Sequence, residues 1–464
     1  MSYTDISEIV LHGEKYAGTK VRVAGWVRTA RDSKTMAFLA LNDGTSLKHL
    51  QIVIDKSKFS SDELAPCLKN GVSVEAEGEV VAAVAAGSGF EINAEALSLI
   101  GDCPSDYPLQ KKYHSMEFLR TVPHLRVRTN TFNAMLRVRS KVSFALHRFF
   151  QERGYTYIHT PIITGSDCEG AGEMFRVTTN GYEEAKTAAD EAEYIARDFF
   201  RRKAGLTVSG QLEGEVAAMA MGKIYTFGPT FRAENSNTPR HAAEFWQIEP
   251  EVAFAKLPDI IKIAESMIKY VIGAVLDECP DEIDFFEKAF EKGLRAKLEA
   301  VVSSDFAVLD YTDAIELLKK ADEKFAYPVE WGLDLQTEHE RYLTEKVLGK
   351  PVFVTNYPKK IKSFYMKQNP DGRTVAATDL LVPGVGEIIG CSEREADYDK
   401  LLEAMTERGM NLDDYKGYME LRKYGTVPHS GFGLGLERIL MYVTGIGNIR
   451  DVQLYSRTAG DLMA

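Results

Sequence analysis

Phe231-Arg232-Ala233-Glu234-Asn235-Ser236-Asn237-Thr238-Pro239-Arg240-His241-Ala242-Ala243-Glu244-Phe245-Trp246-Gln247-Ile248-Glu249-Pro250-Glu251 reads as two strands joined by a polar loop, Asn235 to Arg240. Side chains alternate faces along a strand, so Arg232 and Glu234 share a face of the first, and Phe245, Gln247, Glu249 and Glu251 share a face of the second. A face carrying a guanidinium, several carboxylates and an aromatic ring is too polar for a core. It suits a nucleotide, with the guanidinium on phosphate, the ring on the base, and a carboxylate or backbone group on the amino group. A surface hairpin laced with ion pairs is the alternative.

Three further segments bear on that reading. Gly431-Phe432-Gly433-Leu434-Gly435-Leu436-Glu437-Arg438 carries glycine at every second position. Such a strand has one face stripped of side chains, against which a flat ligand can lie. Arg438 follows at the start of an apolar helix, within reach of a phosphate. The spacing is neither G-x-G-x-x-G nor a P-loop. Ala377 to Val382, Pro383-Gly384 and Val385 to Gly390 form a strand–turn–strand. Asp379 and Glu387 in it are candidates to hold Mg²⁺ between phosphates, which takes one or two carboxylates; ordinary strand-end acids are the alternative. Arg153 to Ile163 is a helix end followed by a strand holding Pro161, which belongs at an edge or an interface because proline cannot donate to a ladder.

Toward the N-terminus, residues 1–102 read as short alternating strands: Val21 to Val27, Met36 to Leu41, Leu50 to Ile54, Val72 to Val80 and Phe90 to Ile100. One helical interruption falls near Ser60–Lys69. Five such runs predict a small OB-type barrel, a fold that often stacks unpaired bases on aromatic side chains. Residues 103–128 read as a hinge. Phe132, Met135, Leu136, Val142, Ala145, Leu146 and Phe149 then recur at helical spacing, with Gly154 as the stop. Within 129–464, the stretches 182–203 and 257–320 read as insertions or peripheral helices.

Composition limits the classes. The 464 residues exceed one ordinary core, and 45 % hydrophobic with 27 % charged residues suits a soluble globular protein. No apolar run approaches the roughly 20 residues that a bilayer crossing needs. Five scattered cysteines without a C-x-x-C pair argue for reduced thiols in the cytoplasm. The net charge of −12 speaks against nucleic acid only globally, since an RNA footprint is local. From Leu109 to Arg148 nine lysines and arginines face a single acid, Glu117. That belt reads either as an RNA contact or as a solvated helix face.

The segments around Pro161, Arg232 and Arg438, in this order and spacing, resemble signature motifs 1, 2 and 3 of class II aminoacyl-tRNA synthetases. With the N-terminal barrel they are similar to the subgroup specific for aspartate, asparagine and lysine. The resemblance implies an α+β chain: an OB-fold anticodon-binding domain and a class II antiparallel sheet flanked by helices. It also implies ATP and Mg²⁺ as cofactors, tRNA as partner and a homodimer joined near Pro161. By that resemblance Arg232 grips the α-phosphate, Glu234 and Phe245 meet adenine, and His241 and Arg438 contact the β/γ end. Asp379 and Glu387 match the magnesium positions. Glu169, in Cys168-Glu169-Gly170-Ala171-Gly172-Glu173, and Gln211 match residues that hold the substrate's α-ammonium, and Arg394 matches the arginine that reads its side-chain carbonyl. In the barrel, Arg31, Phe38 and Gln51 match anticodon contacts; Phe38 as core filling is the alternative.

Within the subgroup, aspartate-specific members pair the Arg394 counterpart with a lysine where this chain has Gly214. Glu249 is then free to accept from an amide and to repel a carboxylate. The stretches Ala233 to His241 and Tyr424 to Phe432 also resemble the asparagine branch. The expected reaction is ATP-dependent attachment of asparagine to tRNA(Asn) through an asparaginyl-adenylate, releasing AMP and pyrophosphate. Rival readings are an aspartate-charging enzyme of relaxed tRNA specificity, a non-catalytic RNA-binding paralogue, and an ammonia-using asparagine synthetase. Two departures stand out. Cys391 and Glu393 interrupt a run that usually reads Gly-Gly-Ser-Gln-Arg before Arg394, and Leu454-Tyr455-Ser456-Arg457 lacks a Phe-Pro-Arg.

Overall fold

The computed structural model describes residues 2–83, 89–169, 174–236 and 238–462. Gly170 to Glu173 and Asn237, quoted above for the resemblance, lie outside the described residues. The chain divides into two compact units, Met1–Ala134 and Met135–Ala464.

The first unit opens with helix α1 (Ile6–His12), which the alternating pattern did not suggest. Strands β1 (Lys20–Asp32), β2 (Met36–Asn42), β3 (Leu50–Asp55), β4 (Ser73–Ala82) and β5 (Phe90–Gly101) close into a barrel of order β1-β2-β3-β5-β4. Val23, Leu39, Leu41, Ile52, Ile54, Val74 and Ile92 fill it completely buried, as the alternation requires. Helix α2 (Ser61–Cys67) starts in a capping box: the Ser60 hydroxyl accepts from Glu63 N, and the Glu63 carboxylate accepts from Ser60 N. Residues 103–128 contain the short helices α3 (Met116–Thr121) and α4 (Pro123–Arg126).

Helix α5 (Asn130–Gln151) begins in the first unit and ends in the second. The chain leaves it through Gly154 at φ +75°, a left-handed conformation that favours glycine. The second unit then contributes β6 (Thr156–Tyr157), β7 (Ile163–Thr164), α6 (Tyr182–Thr187), α7 (Glu191–Ala196), β8 (Gly205–Leu206), α8 (Gln211–Met221), β9 (Lys223–Phe231) and β10 (Glu244–Ala253). Next come α9 (Leu257–Glu278), α10 (Pro280–Ala289), α11 (Leu294–Ser303), β11 (Ala307–Asp310), α12 (Tyr311–Lys319), α13 (Thr337–Arg341) and β12 (Val352–Thr355). The last elements are β13 (Ala377–Val382), β14 (Gly386–Glu393), α14 (Tyr398–Glu407), α15 (Lys416–Glu420), β15 (His429–Gly435) and α16 (Leu436–Thr444).

An eight-stranded sheet of order β11-β12-β13-β14-β15-β10-β9-β6 forms the floor of this unit. Pairing is antiparallel from β12 to β9, while β11 and β6 join the two edges in parallel. This is the α+β arrangement expected, with parallel edges added.

Two expectations from the sequence need correction. The block 257–320 is not peripheral: Ile260, Ala264, Met267, Ile268, Val271 and Val275 of α9 are fully buried, and β11 within the block is an edge strand of the sheet. The basic belt is also largely consumed inside the fold. Arg137 pairs with Glu282 at 2.7 Å, Arg139 with Glu437 at 2.8 Å, and Lys141 and Arg148 with Glu278 at 3.1 and 2.8 Å. Arg126 is buried beneath the Phe132 ring, 4.2 Å from its centroid. These five of the nine belt cations fasten helices together, while Lys111 and Lys112 stay exposed. No described helix is long and apolar enough to cross a membrane.

Candidate active site

Ladder geometry builds the site from β10. Phe245, Gln247, Glu249 and Glu251 alternate onto one face, as the sequence predicts, and line a cavity of about 470 Å³. The first strand ends earlier than expected, at Phe231, so Arg232 and Glu234 extend beyond it. Arg232 N still donates to Ala243 O at 2.9 Å, which continues the pairing by one step. The Arg232 guanidinium lies 5.5 Å from the Phe245 ring centroid and 3.9 Å from both Glu169 and Glu234. Its Nε is buried with no hydrogen-bond partner among the described residues. Burial opposes its charge, but Glu169 and Glu234 outweigh burial and hold its pKa above the usual arginine value. With its Nε unpaired and both carboxylates no nearer than 3.9 Å, the guanidinium is available to an anion.

Strand β15 supplies the floor beside it. Gly433 and Gly435 face the cavity, but Gly431 does not leave open space: the Glu251 carboxylate fills the place its side chain would occupy. Arg438, in the first turn of α16, donates to Glu387 O at 2.9 Å and lies 3.5 Å from the Glu387 carboxylate. Arg232 and Arg438 therefore border one cavity. His241 lies on the same wall, 3.9 Å from Glu234, its pKa lowered by burial.

Asp379 on β13 and Glu387 on β14 converge where Gly390 has no side chain; their Oδ1 and Oε1 lie 3.6 and 3.5 Å from the position of a Cβ there. Burial raises the Asp379 pKa against the opposing charge of its ion-pair partner Lys362. Burial works the same way on Glu387, yet Arg438, Lys362 and Arg232 together bring its carboxyl below the usual range. Two hard carboxylate donors converging on the cavity fit Mg²⁺, which takes one or two carboxylates plus phosphate oxygens and waters. Among the described residues no cluster of three or more His, Cys, Asp or Glu side chains forms a complete protein cage.

Glu169, Gln211, Glu249 and Arg394 also line the cavity. Glu169 accepts from Ser363 Oγ at 2.8 Å. Glu249 is not free, contrary to the sequence reading: its carboxylate accepts from Ser209 Oγ, from Gly210 N at 2.9 Å and from Thr226 Oγ1 at 3.3 Å. Burial raises its pKa. Arg394 is also engaged. Its Nη2 and Nε (3.2 Å) donate to the two oxygens of Glu251, and its Nη1 donates to Ser392 Oγ at 2.6 Å. The Gly214 Cβ position lies 3.7 Å from Glu251 Cγ, so a side chain there would point at this pair. Glu393 faces away from Arg394, as expected, and bonds Lys367 Nζ and Leu257 N instead.

Sequence reading missed the buried support behind this pocket. The Glu215 carboxylate, fully buried, receives Gln211 Nε2 (3.0 Å), Tyr418 Oη (2.9 Å) and Arg422 Nη2 (2.7 Å), with His429 Nε2 2.9 Å away. The spacing of Gln211 and Glu215, four residues apart on a helix, was a readable signal. Lys362, Ser363 and Tyr365 lie between regular elements, where no period marks them.

In the barrel the apolar buried positions of β2 are Ala37, Leu39 and Leu41, so half-buried Phe38 is on the outer face and does not fill the core. Arg31 is its register partner, and Gln51 pairs with Ala40 one strand over. The Gln51 amide donates to Glu91 at 2.8 Å. Pro161 is exposed between β6 and β7, outside any ladder.

Comparison with known proteins gives the same picture. The family model for class II tRNA synthetases (D, K and N) matches residues 115–459, and that for the OB-fold nucleic acid binding domain matches 21–100. The asparagine–tRNA ligase of Acetivibrio thermocellus is 55 % identical over 458 residues, 99 % of each chain, and that of Clostridium tetani 55 % over 460, again 99 % of each. The crystal structure of Pyrococcus horikoshii asparaginyl-tRNA synthetase complexed with asparaginyl-adenylate superposes with a TM-score of 0.87 at 34 % identity, covering 100 % of both chains. The chain belongs to the class II tRNA synthetases of the D, K and N group and, within that group, to the asparagine–tRNA ligases.

Proposed function

We infer that the chain attaches asparagine to tRNA at the expense of ATP, and that the chemistry occurs in the cavity between Arg232 and Arg438. The observation that carries the reading is the buried, unpartnered Nε of Arg232 beside a second arginine on the same cavity. The asparagine carboxylate is ionised and needs no base to attack the α-phosphorus. Arg232 stabilises charge developing on the α-phosphate; Arg438 and His241 hold the departing pyrophosphate end. Phe245 and Glu234 receive the adenine. Cations already held in place require little reorganisation as the charge develops, which is why positioning and electrostatics suffice here. Asp379 and Glu387 would hold Mg²⁺, which supplies positive charge to the phosphate oxygens. The adenylate then passes its asparaginyl group to a hydroxyl of the RNA's terminal adenosine.

Glu169 and Gln211 hold the substrate ammonium, and Arg394 donates to the amide oxygen. Selectivity for the amide follows from charge. Arg394 is already balanced by Glu251, Gly214 brings no second cation, and Glu249 adds a negative charge. A carboxylate would enter a pocket with no net positive charge to meet it, at a cost of several kcal/mol. The barrel reads the anticodon through Arg31, Phe38 and Gln51. The active species is a cytoplasmic homodimer, joined through the face around Pro161; sedimentation at a single-chain mass contradicts it.

Amino-acid-dependent ATP–pyrophosphate exchange across all twenty amino acids tests the reading. Asparagine alone should support strong exchange; faster exchange with aspartate overturns the pocket assignment. Arg232→Ala should lower exchange at least about 100-fold, the scale of losing one charge-stabilising donor, with tRNA affinity preserved. An unchanged rate removes Arg232 from the mechanism.

A further inference from the structure

The segment between α6 and β8 is absorbed by none of these roles, although it connects two walls of the cavity. The chain leaves Glu169, and it returns through β8 to Val208, Ser209 and Gln211, all cavity-lining residues. Its neck is fixed: Val177 N donates to Ala204 O at 2.8 Å, and Asp198, mostly buried, accepts from Thr179 N and Thr179 Oγ1 at 2.9 Å each. On this firm base the next residues point outward. Phe199 is 74 % exposed and Phe200 47 %, their rings edge-to-face at 4.9 Å. Arg201 adopts φ +52°, left-handed backbone that a non-glycine residue rarely takes, and it forms no ion pair among the described residues. Arg202 reaches Asp414 at 3.5 Å, and the Asp414 carbonyl in turn receives Ser166 Oγ at 3.3 Å, next to cavity-lining Asp167. Through Arg202 the loop is thus tied, by way of Asp414 and Ser166, to the segment that carries cavity-lining Asp167.

Two adjacent exposed phenylalanines on a pinned loop, flanked by cations, combine the two parts of a single-strand RNA site: π-faces for unstacked bases and positive charge for the backbone. We propose that Phe199, Phe200, Arg201 and Arg202 form a platform for the unpaired 3′ end of the RNA substrate, delivering its terminal adenosine to the cavity. The proposal rests on the tRNA-charging reading. It commits to the unpaired end because only that part of the RNA must reach the adenylate, and because bases in a duplex offer no faces to stack on.

The test compares the full chain and its Phe199→Ala/Phe200→Ala and Arg201→Ala variants against intact tRNA and tRNA trimmed of its unpaired 3′ nucleotides. Trimming should weaken binding by the parent chain about tenfold. The double variant should bind intact tRNA as weakly as the parent binds trimmed tRNA and lose nothing more on trimming, and Arg201→Ala should show a smaller loss of the same kind. Asparagine-dependent pyrophosphate exchange should stay unchanged in both. Unaltered binding of intact tRNA, an equal loss with trimmed tRNA, a parallel fall in exchange, or a loss traced to altered self-association each overturns the platform. Absence of asparagine-dependent exchange in the parent chain instead sinks the underlying reading, whatever trimming does.

Discussion

Gly431 shows how much a single missing side chain determines. A methyl at its Cβ position would lie 2.2 Å from Glu251 Oε1. Glu251 is itself fully buried and clamped by Arg394, so it cannot swing into water to make room. Gly431→Ala must disturb the pair that orients Arg394, the arginine proposed to read the amide. Asparagine KM should rise at least about tenfold, the order expected when a buried charge loses good geometry, while ATP KM moves far less. Equal rises in both constants contradict that account. Glu340 offers a pH signature near the other end of the cavity. Burial first, then the charge of Glu387, push its pKa up to about 7 from 4.5. Between these values the unfolded chain is ionised at this residue while the folded chain keeps the proton, so stability falls as pH rises from 4.5 to 7. Glu340→Gln should gain stability relative to the parent across that window and hold a constant difference outside it; denaturation midpoints at pH 4.5, 6 and 8 check this. Residues at this scale were legible where a strand period or a family motif marked them, as with Phe245 or Arg438. Lys362 and Glu340 were not, because proximity to Asp379 and Glu387 arises only once distant segments meet.

Elements tell a similar story with different failures. The strand face of Phe245, Gln247, Glu249 and Glu251 was readable because its period is 2 and its polarity is incompatible with a core. Helix α9 reads as an insertion or a peripheral helix in the sequence because an apolar helix has the same sequence whether it covers a sheet or another helix. What decides is the partner, here β14 and β15, which no local period encodes. Glu393 ties this cover down: it accepts from Leu257 N at the first residue of α9 at 3.2 Å and pairs with Lys367. Glu393→Ala strands one buried N–H and loosens a half-exposed lysine. The expected cost is about 1–3 kcal/mol, seen as a lowered denaturation midpoint. Because the carboxylate faces away from Arg394, asparagine KM should stay within about twofold. A large KM change with unaltered stability would mean that Glu393 acts on the pocket and not on the helix.

At the scale of the whole molecule, a net charge of −12 is compatible with an RNA partner because a nucleic-acid footprint is local and does not need a basic whole. The belt from Leu109 to Arg148 looked like the footprint because lysines and arginines are counted along the chain, whereas their glutamate partners come from α10, α16 and the end of α9. The barrel was legible for the opposite reason: its five strands alternate cleanly, and the partners they need are their own neighbours. Its independence as a compact unit permits a clean separation of functions. Phe38 lies on the outer face beside Arg31, away from the Leu39 and Leu41 core and in the other unit from the catalytic cavity. Phe38→Ala therefore removes a stacking surface without opening a cavity in the barrel. Stacking is worth about 1–3 kcal/mol per base, which is roughly a 5- to 150-fold rise in KM for tRNA. Pyrophosphate exchange, which requires no tRNA, should not change, and the denaturation midpoint should shift little because no buried contact is lost. If exchange falls together with charging, the two units are coupled more tightly than separate surfaces allow. If charging is unaffected, the outer face of β2 is not where the anticodon is read.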